Sequence, residues 1–163
     1  MELLSPRLRL RLLTDDELVA LLNGREPADR PWADGYPLDG TLVAVAMQAE
    51  LAGRGVARGS FGHFQVIRRA DDKVIGDIGF HQPPDALGEL SIGFGIVPEA
   101  RRNGYASEAL RTVLAWALAQ PEVRAVHADT DLVNLASQRV LAGAGMRVVA
   151  DEGDRKIYEI AKS

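Results

Sequence analysis

The sequence predicts an α/β (α+β) fold: one mixed, mostly antiparallel sheet of about seven strands with helices on both faces. In the order of its patterns, a run of strands precedes a portion in which strands alternate with helices, which is typical of a central sheet covered by helices. The chain has 163 residues, of which 47% are hydrophobic. That length suffices for one packed core and is short for two. We therefore predict a single domain over residues 1–163.

The first part of the chain has the pattern of a strand, a helix, a loop and a second helix. Leucine alternates with arginine over residues 8–12, as in a half-buried strand. Thr14 and Glu17 have the spacing of a capping box before a leucine-rich helix that ends at Gly24. Prolines and glycines over 25–40 predict a long loop, and a second helix is expected over 41–51.

The rest of the chain follows the order three strands, helix, strand, helix, two strands. The glycine-rich stretch before it, residues 53–59, lacks the Gly-Lys-Ser/Thr ending of a phosphate loop and is expected to be a connector. Pro121 marks the end of the central helix, and Asn134 is a good N-cap for the last one. The strands are predicted at residues 61–69, 74–80, 90–97, 123–130 and, as a final pair, 147–150 with 156–160.

Composition excludes several classes of protein. The formal net charge of −4 argues against a general nucleic-acid binder, because such domains are typically basic. The absence of cysteine excludes disulfides, thiolate nucleophiles and cysteine-type zinc sites, and we expect no metal. The N-terminus lacks the apolar core of a signal peptide, and no apolar run approaches the length of a membrane span. We expect a cytoplasmic protein that does not contact a membrane.

A basic turn lies between the strand that ends at Val97 and the helix that contains Leu110. It holds Arg101, Arg102, Asn103 and Gly104. Successive backbone N–H groups in such a turn can point inward, and the following helix adds partial positive charge at its N-terminus. The turn is therefore a possible cradle for phosphate or pyrophosphate, the alternative being an ordinary strand-to-helix loop.

Two motifs at this turn and beyond it carry a family resemblance. The first is Arg101-x-x-Gly104-x-Ala106, and the second runs from Asn134-Leu-Ala-Ser137 to Gly145-Met146. A softer match is the stretch 74–80. In order and spacing these motifs resemble the GNAT N-acetyltransferase superfamily, in particular the branch that includes ribosomal-protein N-terminal acetyltransferases. The resemblance covers roughly residues 60–147; before residue 60 only the order of elements matches.

The resemblance implies acetyl-CoA as co-substrate and assigns residues to it. The backbone of Ile96 and Val97 would pair with the pantetheine arm, and Asn134 would contact the cofactor near its thiol. Arg101 and Arg102 would supply positive charge. The N–H groups around the pyrophosphate would be those of Arg102, Asn103, Gly104, Tyr105 and Ala106. Gly104 suits this role, since without a Cβ it permits close approach of the ligand and a positive φ.

The implied reaction is direct attack of a neutral amine on the acetyl thioester. In the family, backbone N–H groups of the strand, here around 94–96, stabilise the developing oxyanion. A lysine amine with a pKa of about 10.4 is about 0.1% neutral at pH 7 or less, which costs on the order of 4–5 kcal/mol. An α-amine with a pKa of about 7.7–8.0 costs only about 1 kcal/mol and so needs a base much less.

No general base stands out. Ser91 occupies the position where the branch often has glutamate, so Glu89, two residues earlier on the same face, is the first candidate. An exposed strand glutamate with no catalytic role is its alternative. His127 is the next candidate, and His81 and His63 are weaker. In place of the tyrosine that many relatives use as the acid, Ser137 is the candidate acid or orients the thiol.

Two functions remain open from the sequence. The favoured one is an acetyl-CoA-dependent N-acetyltransferase acting on a primary amine, either a small molecule or a protein N-terminus. The alternative is a non-catalytic acyl-CoA sensor or scaffold. By the resemblance, residues 14–60 and 147–161 build the acceptor pocket, with Trp32, Tyr36 and Tyr158 as candidate lining. A homodimer is possible, as in many relatives.

Overall fold

The computed structural model describes residues 1–163 and contains four α-helices and eight strands. None of the helices is both long enough and apolar enough to cross a membrane. The helices are α1 (Asp15–Leu22), α2 (Asp39–Gly53), α3 (Tyr105–Leu118) and α4 (Leu135–Gly143). The strands are β1 (Glu2–Leu4), β2 (Leu8–Leu12), β3 (His63–Arg68), β4 (Lys73–Phe80), β5 (Glu89–Ile96), β6 (Ala125–Asp131), β7 (Arg147–Asp151) and β8 (Arg155–Ala161).

All eight strands form one sheet in the order β1-β2-β3-β4-β5-β6-β8-β7. Every neighbouring pair is antiparallel except β5 with β6, which is parallel. The predicted mixed, mostly antiparallel sheet is thus confirmed, with eight strands where about seven were expected. The additional strand is β1, which pairs Leu3 with Leu10 of β2. Its three residues are too few to produce an alternating pattern.

Helices cover both faces of the sheet, as predicted. The ring of Trp116 on α3 lies 6.4 Å from that of Phe64 and 6.3 Å from that of Phe80. The residues that precede these two phenylalanines in their strands, His63 and Gly79, line a cavity together with residues of α2. Because successive side chains along a strand point to opposite faces, α3 and α2 lie on opposite sides of the sheet.

The parallel pair β5–β6 separates after a short paired segment. Pairing joins Glu89–Ser91 to Ala125–His127 only. Beyond this point β5 continues along β4 up to Ile96, and β6 continues along β8 up to Asp131. A cleft therefore opens in the middle of the sheet, between the second halves of β5 and β6. The basic turn of residues 101–106 follows β5 after a short 3-10 turn at Pro98–Ala100.

Candidate active site

The turn before α3 presents a run of unpaired backbone donors. Its backbone is left-handed at Arg102 (φ 66°) and at Gly104 (φ 79°). The N–H groups of six consecutive residues, 102–107, donate to no acceptor in the protein, and the first bonded N–H is that of Glu108, to the Gly104 carbonyl at 3.0 Å. Consecutive free N–H groups in a turn with left-handed residues form a concave anion site, to which α3 adds the positive end of its dipole.

Arg7, at the start of the chain, holds this turn in place. Its Nη1 donates to the Asn103 carbonyl at 2.8 Å, and its Nε pairs with Glu108 Oε1 at 2.8 Å. The guanidinium also lies 4.5 Å above the centre of the Tyr105 ring. The hydroxyl of Ser5 donates to the same Glu108 carboxylate. No pattern in the sequence links these residues, which are about one hundred positions apart, so sequence reasoning did not find them.

The two arginines of the turn have different surroundings. Arg102 is exposed on the turn itself. Arg101 donates its Nε to the carbonyl of Ile96 at 2.9 Å and lines the larger of two cavities described below. The positive charge of Arg102 therefore lies on the turn with the free N–H groups, and that of Arg101 lies at the wall of the larger cavity.

The edge of β5 that faces the cleft offers further free backbone groups. Val97 N–H donates to the Ile75 carbonyl at 2.8 Å, and the Ser91 carbonyl accepts from His81 N–H at 2.9 Å. Odd-numbered residues of β5 thus bond to β4, so alternation directs the N–H groups of Phe94 and Ile96 into the cleft. The Val97 carbonyl accepts from Ala100 N–H at 3.0 Å, so the backbone of Val97 is already paired on both sides.

The opposite wall of the cleft belongs to β6 and α4. Asn134 caps α4, as predicted, with its side-chain oxygen accepting from Ser137 N–H at 3.1 Å. Asn134 and Ser137 line a cavity of about 230 Å³ together with Phe94 and Thr130. This smaller cavity fills the gap between the separated strands.

A larger cavity of about 900 Å³ lies between α2 and the sheet. It shares Phe94 and Asp129 with the smaller cavity, so the two form one continuous cleft. Its depth depends on glycine: a Cβ at Gly93 would lie 3.0 Å from His81 Nε2, and one at Gly95 would lie 2.9 Å from Leu38 Cδ1.

The floor of the larger cavity is a buried polar group. His63 and Asp77 are 3% and 4% exposed, with His63 Nε2 3.4 Å from Asp77 Oδ1. Neither His63 Nε2 nor Asp77 Oδ2 makes a hydrogen bond. Beside them Gln65 donates to the hydroxyl of Tyr36 at 3.3 Å. Burial, and after it the charge of Asp77, raises the pKa of Tyr36 well above its ordinary value, so this phenol stays neutral.

His81 stands in the wall of the larger cavity, at the end of β4 and against Gly93. Burial lowers its pKa below 6.5, with nearby His63 acting in the same direction and Asp129 opposing. The imidazole is therefore neutral at physiological pH and can accept a proton. His81, a weaker candidate from the sequence, thus lies in the wall of the larger cavity.

The structure places three predicted catalytic residues away from the cleft. Glu89 lies at the paired start of β5, bonded to Arg124, and lines neither cavity. Ser91 and His127 face each other across the short parallel pairing, also outside both cavities, and His127 Nε2 lies 2.7 Å from a carboxylate oxygen of Glu159. Of the other predicted candidates, Ser137 lines the smaller cavity, and the two weaker ones, His81 and His63, line the larger cavity.

The three aromatic residues expected to line an acceptor pocket line neither of the two cavities. Tyr36 and Tyr158 are buried in the core, and neither they nor Trp32 lines either cavity. Trp32 packs edge-on against Tyr36, with ring centroids 5.7 Å apart. The loop of residues 25–38 is therefore anchored by its aromatic residues, whereas α2 supplies the wall of the larger cavity with residues such as Val43 and Met47.

Comparison with known proteins places this fold and cleft in a family. The family model described as an acetyltransferase (GNAT) domain matches residues 7–147. The chain is 28% identical over 145 residues to an uncharacterized N-acetyltransferase, YjdG, of Bacillus subtilis (strain 168), covering 84% of this chain and 85% of that protein. The chain therefore belongs to the GNAT acetyltransferase family.

Solved structures have the same fold. A GNAT-family acetyltransferase from Bacillus anthracis superimposes with a TM-score of 0.67 at 21% identity, covering 99% of this chain and 98% of that chain. A ribosomal L7/L12 alpha-N-protein acetyltransferase, solved in complex with coenzyme A, superimposes with a TM-score of 0.69 at 16% identity, with coverage of 99% and 98%.

Proposed function

We propose that the protein is an acetyl-CoA-dependent N-acetyltransferase that moves an acetyl group to a primary amine of a small molecule or a protein N-terminus. The observation that carries the proposal is the run of six free N–H groups at 102–107, which begins next to Arg101 in the lining of the larger cavity. Such a turn at a helix N-terminus suits a pyrophosphate. The fold it shares with a relative solved with coenzyme A supports the same donor.

The cleft offers a path for the rest of the donor. The free backbone edge at Phe94 and Ile96 suits the amide-containing pantetheine arm, and Val97 is left out because its backbone is paired already. Arg102 adds charge at the turn, where Asn103, Gly104, Tyr105 and Ala106 contribute N–H groups. Asn134 and Ser137 lie across the cleft, where the thiol end would reach.

The chemistry follows from groups that meet in the cleft. The amine nitrogen forms a bond to the acetyl carbon, the carbon–sulfur bond breaks, and one proton leaves the nitrogen. Neutral His81 accepts that proton, and free N–H groups at Phe94 or Ile96 stabilise the oxyanion. Ser137 orients the thiolate, or donates a proton to it and regains one from solvent, and His81 releases its proton to solvent. Glu89, Ser91 and His127 take no part in this scheme because they line neither cavity.

The experiment is thiol release from acetyl-CoA across a panel of alkylamines, diamines and short peptides, with mass spectrometry of the acetylated products. We expect at least one amine to turn over with saturable dependence on acetyl-CoA. Tight binding of CoA without turnover of any amine would favour the non-catalytic acyl-CoA sensor instead. Failure to bind CoA would remove both functions.

A further inference from the structure

We propose that Asp77 binds a second cationic group of the acceptor, so that the preferred acceptors are amines with another ammonium group at their far end. This inference rests on the proposed acetyltransferase function and specifies its substrate class. The carboxylate of Asp77 is buried at the floor of the larger cavity, and its Oδ2 accepts no hydrogen bond from the protein.

Asp77 has the properties of an incomplete pair. It is 4% exposed, and its Oδ2 has no hydrogen-bond partner, whereas buried carboxylates are normally paired or hydrogen-bonded. His63 Nε2 lies 3.4 Å from Asp77 Oδ1 and makes no hydrogen bond. The phenol of Tyr36 is hydrogen-bonded to the side chain of Asp77, but it stays neutral and provides no positive charge. An ammonium group from the cavity would supply both the missing charge and the missing donor.

No arginine or lysine of the protein fills this role. Asp129, the carboxylate that lines both cavities, pairs with Arg155 at 2.8 Å. Arg101 directs its Nε to the Ile96 carbonyl. Asp77 forms an ion pair with neither arginine, and the remaining acidic residue of the larger cavity, Asp39, is exposed. A cation that reached Asp77 would therefore form a buried pair without displacing a protein group.

The geometry limits the length of such an acceptor. Asp77 is paired with Gly95, and His81 follows Asp77 by four positions on the same side of the sheet. Their Cα atoms are about 13 Å apart at the usual rise of a strand, and both side chains extend into one cavity. An acceptor with about four or five carbons between its two amines fits between the carboxylate and the imidazole once the side chains are allowed for.

Isothermal titration of amines into the CoA-saturated protein tests this. CoA carries no acetyl group, so binding is measured without reaction. The probes are 1,5-diaminopentane and n-hexylamine, which differ by one terminal ammonium in place of a methyl group. We expect the diamine to bind at least about tenfold more tightly to the wild type, and Asp77→Asn to remove the difference.

The matched control is Asp16→Asn, which changes net charge equally on the exposed side of α1 and should keep the preference. The wild-type comparison needs no variant: equal affinity for the two probes, or binding of neither, overturns the inference. A preference that persists in folded Asp77→Asn also overturns it. Diamine binding without acetyl transfer from acetyl-CoA would count against the proposed function alone, and transfer without a diamine preference would count against this inference alone.

Discussion

Gly104 has a left-handed backbone conformation and lies where the proposed pyrophosphate would bind. Its φ of 79° lies in the left-handed region, where a side chain costs about 1–2 kcal/mol. A Cβ there would also lie 3.3 Å from Arg7 Nη2, the arginine that braces the turn. The residue thus combines the backbone form that exposes the N–H groups with the open space that a pyrophosphate needs.

Gly104→Glu is expected to reduce CoA affinity by at least about 100-fold, since it adds bulk and negative charge beside the free N–H groups. Titration calorimetry with CoA measures the change. Gly153→Glu is the control, because Gly153 also has a positive φ (88°) but a Cβ at that position would have no neighbouring atom within 4 Å. That control should lose a similar amount of stability and keep its CoA affinity. Unchanged affinity in Gly104→Glu would contradict the placement of the pyrophosphate.

His81 is the residue on which the proposed proton transfer depends. His81→Gln should lower kcat about 100-fold while leaving CoA binding unchanged, because the imidazole lines the larger cavity and lies outside the basic turn of residues 101–106. Its pKa is below 6.5, so the neutral base is present above that value and is lost as pH falls. Wild-type kcat/KM should accordingly show an acidic limb from His81 in addition to the limb set by ionisation of the acceptor amine, and the variant should keep only the second limb.

His127→Gln is the control for this prediction, since His127 bonds Glu159 and lines neither cavity. It should retain most of the wild-type rate and the wild-type pH profile. If the loss of rate followed His127 and not His81, the assignment of the base would be wrong.

Among the helices and strands, the start of α1 is tied to the sheet and to the long loop through Glu17. The capping box predicted for Thr14 and Glu17 is confirmed. The same carboxylate also accepts from Arg11 of β2 at 2.9 Å and from Arg30 of the loop at 2.6 Å. Burial alone would raise the pKa of Glu17, but the Thr14 N–H and the two arginines outweigh it and lower the pKa to about 2.

The lowering of the pKa from 4.5 to about 2 corresponds to about 3 kcal/mol, and solvent around the partly exposed carboxylate reduces this, so Glu17→Gln should destabilise the protein by about 1–2 kcal/mol at pH 7. The pKa in the folded state lies below the ordinary 4.5, so this contribution is complete above pH 4.5 and is lost as pH falls towards 2. Denaturant unfolding of both proteins across that range measures it. Glu50→Gln, on the exposed side of α2, should leave stability nearly unchanged. A difference independent of pH would rule out the ionised network as its source.

In the molecule as a whole, the separation of β5 from β6 turns a continuous sheet into a binding cleft. Each strand keeps one partner, β4 for β5 and β8 for β6, so the sheet stays intact on both sides of the gap. The cleft-facing edge of β5 and the start of α4 then border the smaller cavity, and Arg101, at the start of the basic turn, lines the larger one, although these segments are far apart in sequence.

Hydrogen exchange should reveal this arrangement. We expect saturating CoA to slow amide exchange in three separate segments: 94–96, 102–107 and 134–137. Peptides from the turn between β7 and β8, residues 151–155, should exchange at the same rate with and without CoA. Protection confined to one of the three segments would show that CoA does not span the cleft as proposed.

Local patterns in the chain were enough to predict the order of elements, the fold class and the turn before α3, because these depend on neighbouring residues. Alternation and helical periodicity are local, and Gly104 marks a left-handed position just before α3 without reference to any distant residue. The strand β1 was not predicted because its three residues are too few for an alternating pattern, whereas its partner β2 was predicted.

Which side chains reach the cleft depends instead on how distant segments pair and pack. Glu89 was a reasonable base on sequence grounds, yet its bond to Arg124, 35 positions away, keeps it at the closed end of β5. His81 and Asp77 share the cavity because β4 pairs with β5 and two glycines leave room above that strand. The local pattern of residues does not predict which of these side chains lie close together, because their positions are fixed by contacts with elements far away in the chain.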